Sequence, residues 1–316
     1  MLNVDRKLEV SVTNRTTGLT AEYGSKENAS NPLHIKFRFA RTGRIEEPDT
    51  AQITINNADL SFYTSVEKAK TLFVEVNGGY DDNTGLLFSG VVTDYTVGRV
   101  QNTTEIKLVL GDSIQDVVFK GAYTKQTNFI DILKDMGGAM FSALVELPAQ
   151  VYETAKKLTN EAISSDKIDV PKKQKGKRKK KGFTVLGKLG KSMNDLLNPR
   201  GLEADIINNE LVIRKMFAES DTAVELAPYT GLKSIKRNFV TLKNAKGKKI
   251  EVGGIEFECQ LIPNLYPSKT VQINAKTSSG DYISDEKFTI TELKGTGGNK
   301  ASDMWKMTGV AHEKVE

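Results

Sequence analysis

A two-residue alternation of apolar and polar side chains constrains this chain more than any other feature. In LHIKFRFA (33–40), Ile35, Phe37 and Phe39 fall on one side, and Lys36 and Arg38 on the other. Successive side chains of a strand point to opposite faces, so this pattern specifies a strand with one face buried. The same alternation runs through KLEVSV (7–12), AQITI (51–55), TLFVEV (71–76), LLFSGVVTDYTV (86–97) and EIKLVLG (105–111). Between the later strands, GGYDDNTG (78–85) and GRVQNTT (98–104) are rich in turn-forming Gly, Asn and Asp. Many short strands punctuated in this way predict a barrel or sandwich over residues 1–125.

The period then changes. TNFIDILKDMGG (127–138) places Phe129, Ile130, Leu133 and Met136 on one helical face, with Thr127 or Asn128 to cap it and Gly137-Gly138 to end it. Residues 139–163 give a second helical pattern, interrupted at Pro148. VLGKLGKSMNDLL (185–197) predicts a third helix, stopped by NPRG (198–201). LEADIINNELVIR (202–214) predicts a hairpin turning at Asn208-Asn209, since Asn tolerates left-handed backbone.

Strands return at FVTLKNA (239–245), KIEVGG (249–254), FECQLIP (257–263), TVQINA (270–275), KFTITELKG (287–295) and MWKMTGVA (304–311). The expected fold is therefore mainly β with an α+β insertion. Residues 1–125 form one β unit and 224–316 the other. Residues 126–223 hold helices and a hairpin that can contribute to either. No short repeat is visible, but the two β regions are similar in size, as two versions of one barrel would be.

The residues for most enzyme chemistry are missing. A nucleophile needs a base beside it. The chain has two histidines, His34 opening a strand and His312 in the C-terminal tail, and no G-x-S-x-G elbow. The single cysteine, Cys259, sits in an alternating strand and reads as a core residue. It allows no intrachain disulfide, which suits a reducing compartment. One Cys and two distant His cannot make a zinc site. Asp81, Asp82 and Asn83 lack the spacing of a calcium loop and read as a solvated turn.

GKLGKS (187–192) resembles a phosphate loop, but the glycine required five residues before Gly190 is Val185, and the segment follows a lysine run rather than a strand. GTGGN (295–299) is expected to be a hairpin loop. Aromatics at 7% do not favour a large aromatic ligand pocket. No apolar stretch approaches the length of a membrane span, and MLNVDRKLEVSV enters the strand pattern directly, so no signal peptide is expected. These readings predict no enzyme, no cofactor, no metal and no small-molecule substrate. A cell-wall hydrolase is the enzymatic alternative, because paired carboxylates could hide among 40 acidic residues. No lysozyme-like or amidase-like segment is visible.

The net charge of +5 comes from one place. Lys172, Lys173, Lys175, Lys177, Arg178, Lys179, Lys180 and Lys181 carry eight positive charges, so the rest of the chain holds 5 − 8 = −3. A nucleic-acid binder spreads its charge over a folded face. Here the charge is one like-signed run, read as a solvated loop or as an electrostatic contact with DNA, an anionic membrane or an acidic partner. No aromatic residue is interleaved to stack on bases.

Five segments in order resemble the baseplate hub proteins of phage tails. They are IEEPDTAQITINNADL (45–60), TGLLFSGVVTDYTV (84–97), TTEIKLVLGDSIQDV (103–117), GIEFECQLIPNLYPSKTVQI (254–273) and GDYISDEKFTITELKGTGGNKASDMWKMTGVA (280–311). The likeness covers almost the whole chain and rests on their order and spacing. Two departures stand out: Ser268 replaces a usual glycine, and Leu293-Lys294-Gly295-Thr296 replaces a His-x-Gly-Asp.

The resemblance implies two tail-tube-like β-barrels per chain and a homotrimer whose six barrels form a pseudo-sixfold ring. It also resembles the base of type VI secretion spikes. Implied partners are the tail tube protein, the spike protein and other baseplate proteins, with genomic DNA or a tape measure protein passing through the lumen. The implied location is the tail baseplate of a virion assembled in the host cytoplasm, with a contractile tail.

Overall fold

The computed structural model describes residues 6–24, 33–43, 47, 49–59, 61–64, 71–80, 83–100, 102–111, 118–123, 132, 135–136, 183–198, 202–207, 210–215, 222–243, 248–263, 265–300 and 302–314. The basic segment 172–181, the Asp81-Asp82 turn and the helical pattern of 139–163 lie outside them. So does most of 127–138, of which Ile132, Asp135 and Met136 are helical.

The first β region holds β1 (Arg6–Asn14), β2 (Thr20–Gly24), β3 (His34–Arg41), β4 (Thr50–Asn56), β5 (Leu72–Tyr80), β6 (Asn83–Val100) and β7 (Thr103–Gly111), with one helical turn, α1 (Ser61–Thr64). Next come β8 (Val118–Tyr123), β9 (Phe183–Lys188), α2 (Leu189–Leu197), β10 (Leu202–Ile207) and β11 (Glu210–Lys215). The second β region holds β12 (Ala223–Leu226), β13 (Leu232–Lys243), β14 (Lys249–Cys259), β15 (Thr270–Lys276), β16 (Tyr282–Gly298) and β17 (Lys306–His312).

The alternation does what it predicted. Along β3, Ile35, Phe37 and Phe39 are buried while Lys36 and Arg38 are exposed. Ile53 and Ile55 of β4 and Ile106, Leu108 and Leu110 of β7 lie on the same face. Both β regions contribute to one contiguous apolar cluster.

Thirteen strands make one sheet in the order β13-β14-β17-β16-β3-β4-β7-β6-β5-β1-β2, with β15 on β16 and β12 on β15. The strand order repeats. The first region runs β3-β4-β7-β6-β5, and the second runs β13-β14-β17-β16-β15. The repeat extends to single residues. In each half the long strand carries a bulge opposite its last partner strand, at Val92/Asp94 in β6 and at Ile290/Glu292 in β16. The bulged residue is a threonine in both. Thr93 donates its hydroxyl to the Val109 carbonyl at 3.1 Å, and Thr291 donates to the Val310 carbonyl at 3.0 Å. A bulge bends its strand, so the same device curls both halves. The halves differ at the end of the order, where β1 meets β5 antiparallel but β12 meets β15 parallel.

Several boundaries correct the expectations. GTGGN is not a hairpin loop: Gly295–Gly298 belong to β16 and pair with β3. The helix expected over 185–197 begins at Leu189, and residues 183–188 are a strand paired with β8. GKLGKS therefore does follow a strand, so only its glycine spacing argues against a phosphate loop. KIEVGG and the first three residues of FECQLIP are one strand interrupted by neither glycine, β14, which ends at Cys259. The turn expected over 98–104 shrinks, because β6 runs to Val100 and β7 starts at Thr103. β2, β8, β12 and most of β13 carried too weak an alternation to be predicted. The hairpin of 202–214 is present as β10 and β11.

Candidate functional site

The feature that stands out chemically is a joint. β16 receives β15 along its first part and β3 along its last part, so the two halves meet edge to edge in a single ladder. The register is Leu293↔Arg41, Lys294↔Ala40, Gly295↔Phe39, Thr296↔Arg38, Gly297↔Phe37 and Gly298↔Lys36.

Glycine at 295 and 297 is a packing requirement. A Cβ on Gly295 would lie 2.3 Å from the Phe39 ring, and one on Gly297 would lie 2.7 Å from both the Phe37 ring and Leu261. The two phenyl rings, 6.2 Å apart and nearly parallel, therefore lie across bare backbone of the other half. A ring covering a cross-strand glycine buries both its own surface and the peptide beneath.

Trp305 closes the joint from the second half. It meets Phe37 edge-on at 6.1 Å and Tyr80 at 5.9 Å, and the Arg6 guanidinium sits 5.7 Å from its ring centroid. All three of those partners come from the first half. On the other side, Arg41 lies over Phe39 and Phe88.

The loop after β16 fastens the joint with polar contacts. Asn299 accepts the Ile35 N–H at 2.9 Å and donates its amide to the Leu33 carbonyl at 2.6 Å, while its own N–H reaches the Ile35 carbonyl at 3.1 Å. Asp303 meets His34 Nε2 at 2.9 Å and Lys36 Nζ at 3.7 Å, and accepts the Lys300 N–H at 3.0 Å. Arg6 donates to the Asp303 carbonyl at 3.0 Å. Burial would push the Asp303 carboxyl up, but the bonds from His34 and Lys300 and the charges of His34 and Lys36 outweigh it and hold it below the usual range.

The residues weighed for catalysis take structural places. His34 belongs to this clasp. His312 is not in a loose tail: it ends β17, is 2% exposed, and its Nδ1 lies 2.6 Å from the Glu313 carbonyl. Cys259 is fully buried at the end of β14, and burial pushes its thiol up to about 12, far from a reactive thiolate. Among the described residues, no group of three or more His, Cys, Asp or Glu is placed to hold a metal. None of their helices is long and apolar enough to cross a membrane. Sequence reading missed the joint because a Gly-rich tetrad signals a turn unless its aromatic partners, more than 250 residues away, are known.

No family model and no curated protein matches the sequence. Solved structures do match. A tail protein from Neisseria meningitidis MC58 superposes with a TM-score of 0.52 at 9% identity, over 97% of this chain and 96% of that one. The 43 kDa tail protein of prophage MuSo2 from Shewanella oneidensis gives 0.53 at 9% identity, over 97% of each chain. A chain of the Francisella PdpA–VgrG complex gives 0.52 at 7% identity, over 99% of this chain and 59% of that one. The fold is thus mainly β and resembles that of these two tail proteins and of the PdpA–VgrG chain.

Proposed function

We propose that this chain is a structural component of a phage-type tail baseplate, a hub that joins the tail tube to the spike and acts by contact and shape rather than by turnover. One observation carries the reading: a single chain holds two halves of the same strand order, with a threonine bulge at the matching place in the long strand of each, fastened edge to edge. Three such chains present six near-equivalent units. That number matches a sixfold tube on one face while the chain symmetry matches a threefold spike on the other. The likeness to two tail proteins and to a chain of the PdpA–VgrG complex supports the setting.

In this reading the partners are a second and third copy of the chain, the tube protein, the spike protein and neighbouring baseplate proteins, with DNA or a tape measure protein passing through the ring. Residues 1–125 and 224–316 act as the two barrel units. The basic segment 172–181 serves contact with an acidic partner rather than with the passage, because a channel that must release a polyanion is poorly served by eight cations. Its deletion should leave assembly intact and weaken binding to an acidic partner.

The test of the reading is the mass and shape of the purified protein. Sedimentation should give three copies, and electron microscopy should show a ring with six lobes. A strict monomer at high concentration, with no ring, would end the proposal.

A further inference from the structure

The repeat makes the joint predictive, because its two sides recur elsewhere in the chain without a partner strand among the described residues. Aligning the halves through their bulges and ladders sets Asp94 with Glu292, Thr96 with Lys294, Val97 with Gly295 and Gly98 with Thr296. It likewise sets Arg38 with Lys236, Phe39 with Arg237, Ala40 with Asn238 and Arg41 with Phe239. The part of β16 that receives β3 thus corresponds to the end of β6. β3 itself corresponds to β13.

Among the described residues, both counterparts lack a second partner strand. The end of β6 pairs with β7 on one side and, past Phe73↔Val91, with no described strand on the other. β13 pairs only with β14 among the described residues. The burial contrast is large: Arg41 is 5% exposed inside the joint, whereas Phe239 at the matching place is 75% exposed. Val100, at the end of the β6 edge, is 54% exposed. Phe239 lies in phase with buried Ile235, yet nothing described covers it. The Phe239 N–H is met by the adjacent Asn238 side chain, and the Ile235 carbonyl by Ser278, so the donors and acceptors of this row point away from β14.

We infer that β13 of one copy adds, antiparallel, to the β6 end of a second copy of this chain, in the register of the internal joint: Asn238 opposite Thr96, Arg237 opposite Val97 and Lys236 opposite Gly98. The internal joint supplies the argument for the occupant, since the same fold already mates these two edge types within one chain. The contact is head-to-tail, uses a different edge on each copy, and closes into a ring when the rotation allows. It satisfies the two open edges that would otherwise template aggregation. This inference rests on the proposed self-assembling hub and names which surfaces do the assembling.

The experiment is oxidative cross-linking of the full chain carrying Thr96→Cys and Asn238→Cys, with Cys259 left in its buried place. Directly opposed cross-strand positions lie within disulfide reach. The double variant should give a ladder of covalent multimers on non-reducing gels, ending at the native oligomer. Each single variant should stay a monomer on the same gel. A double variant that is oligomeric by sedimentation but forms no multimer overturns the edge assignment while leaving the hub reading intact. A monomeric wild-type protein fails the hub reading itself, and the inference with it. If the double variant folds but does not assemble, hydrogen exchange on the wild-type oligomer decides: residues 94–100 and 236–241 should both gain protection relative to diluted monomer, and no gain in either overturns the inference. Phe239→Pro, which removes a donor that β14 does not use, should shift the wild-type oligomer to monomer with unchanged circular dichroism.

Discussion

At the scale of single residues, two positions show how backbone and burial set stability. Ser268 has φ +74°, a left-handed conformation that costs a side-chain-bearing residue about 1–2 kcal/mol. It stands where the resembled family usually has glycine, so the departure noticed in the sequence is a strained turn in the fold. Ser268→Gly should stabilise the protein by roughly 0.5–1 kcal/mol in denaturant unfolding, after the entropy cost of glycine.

His312 answers to pH. Burial holds its imidazole below the ordinary value, against the opposing pull of the Glu313 carbonyl and the Glu203 charge. The unfolded chain therefore takes up the proton first as pH falls below about 6.5. The stability held at neutral pH should decline progressively from there toward the depressed folded value. Unfolding midpoints between pH 7 and 5 should show this slope in the wild-type protein and a flatter one in His312→Gln.

At the scale of elements, the legible and illegible parts divide by what decides them. β1, β3, β4, β5 and β7 are half-buried strands whose own side chains alternate, and sequence periodicity located each within a few residues. β9 was misread as the start of a helix because VLGKL fits a helical face until β8 supplies a pairing partner. The last part of β16 was misread as a loop because, of Gly295–Gly298, only Thr296 has a side chain, so nothing alternates. Their strand conformation is imposed by Phe37 and Phe39 from the other half. That dependence can be measured. Gly295→Val should destabilise by about 1–3 kcal/mol through overpacking against Phe39, and Phe39→Ala should partly rescue it in a double-mutant cycle. Simple additivity of the two losses would contradict the interlock.

At the scale of the whole molecule, one ladder and one apolar cluster run through both halves. The sequence revealed two β regions of similar size but could not reveal that they share strand order. That likeness lives in pairing, bulges and register, while the side chains at matched places have diverged, as Arg41 and Phe239 have. Shared core and shared ladder predict that the two halves melt together. Calorimetry should give one transition for the sheet, and Trp305→Ala should lower it as a unit by about 3–5 kcal/mol rather than split it. A second transition confined to one half would show that the joint is a loose seam.

The joint also fixes how the molecule bears load. Its six residue pairs lie side by side along antiparallel strands. An outward push from inside a ring would stretch the wall around its circumference, across the strands, so every pair is pulled together and none can be peeled first. With no Cβ on three of six β16 positions, the phenyl rings over Gly295 and Gly297 act as the bolts of that seam. In the proposed ring, a wall jointed in this way would resist bursting evenly.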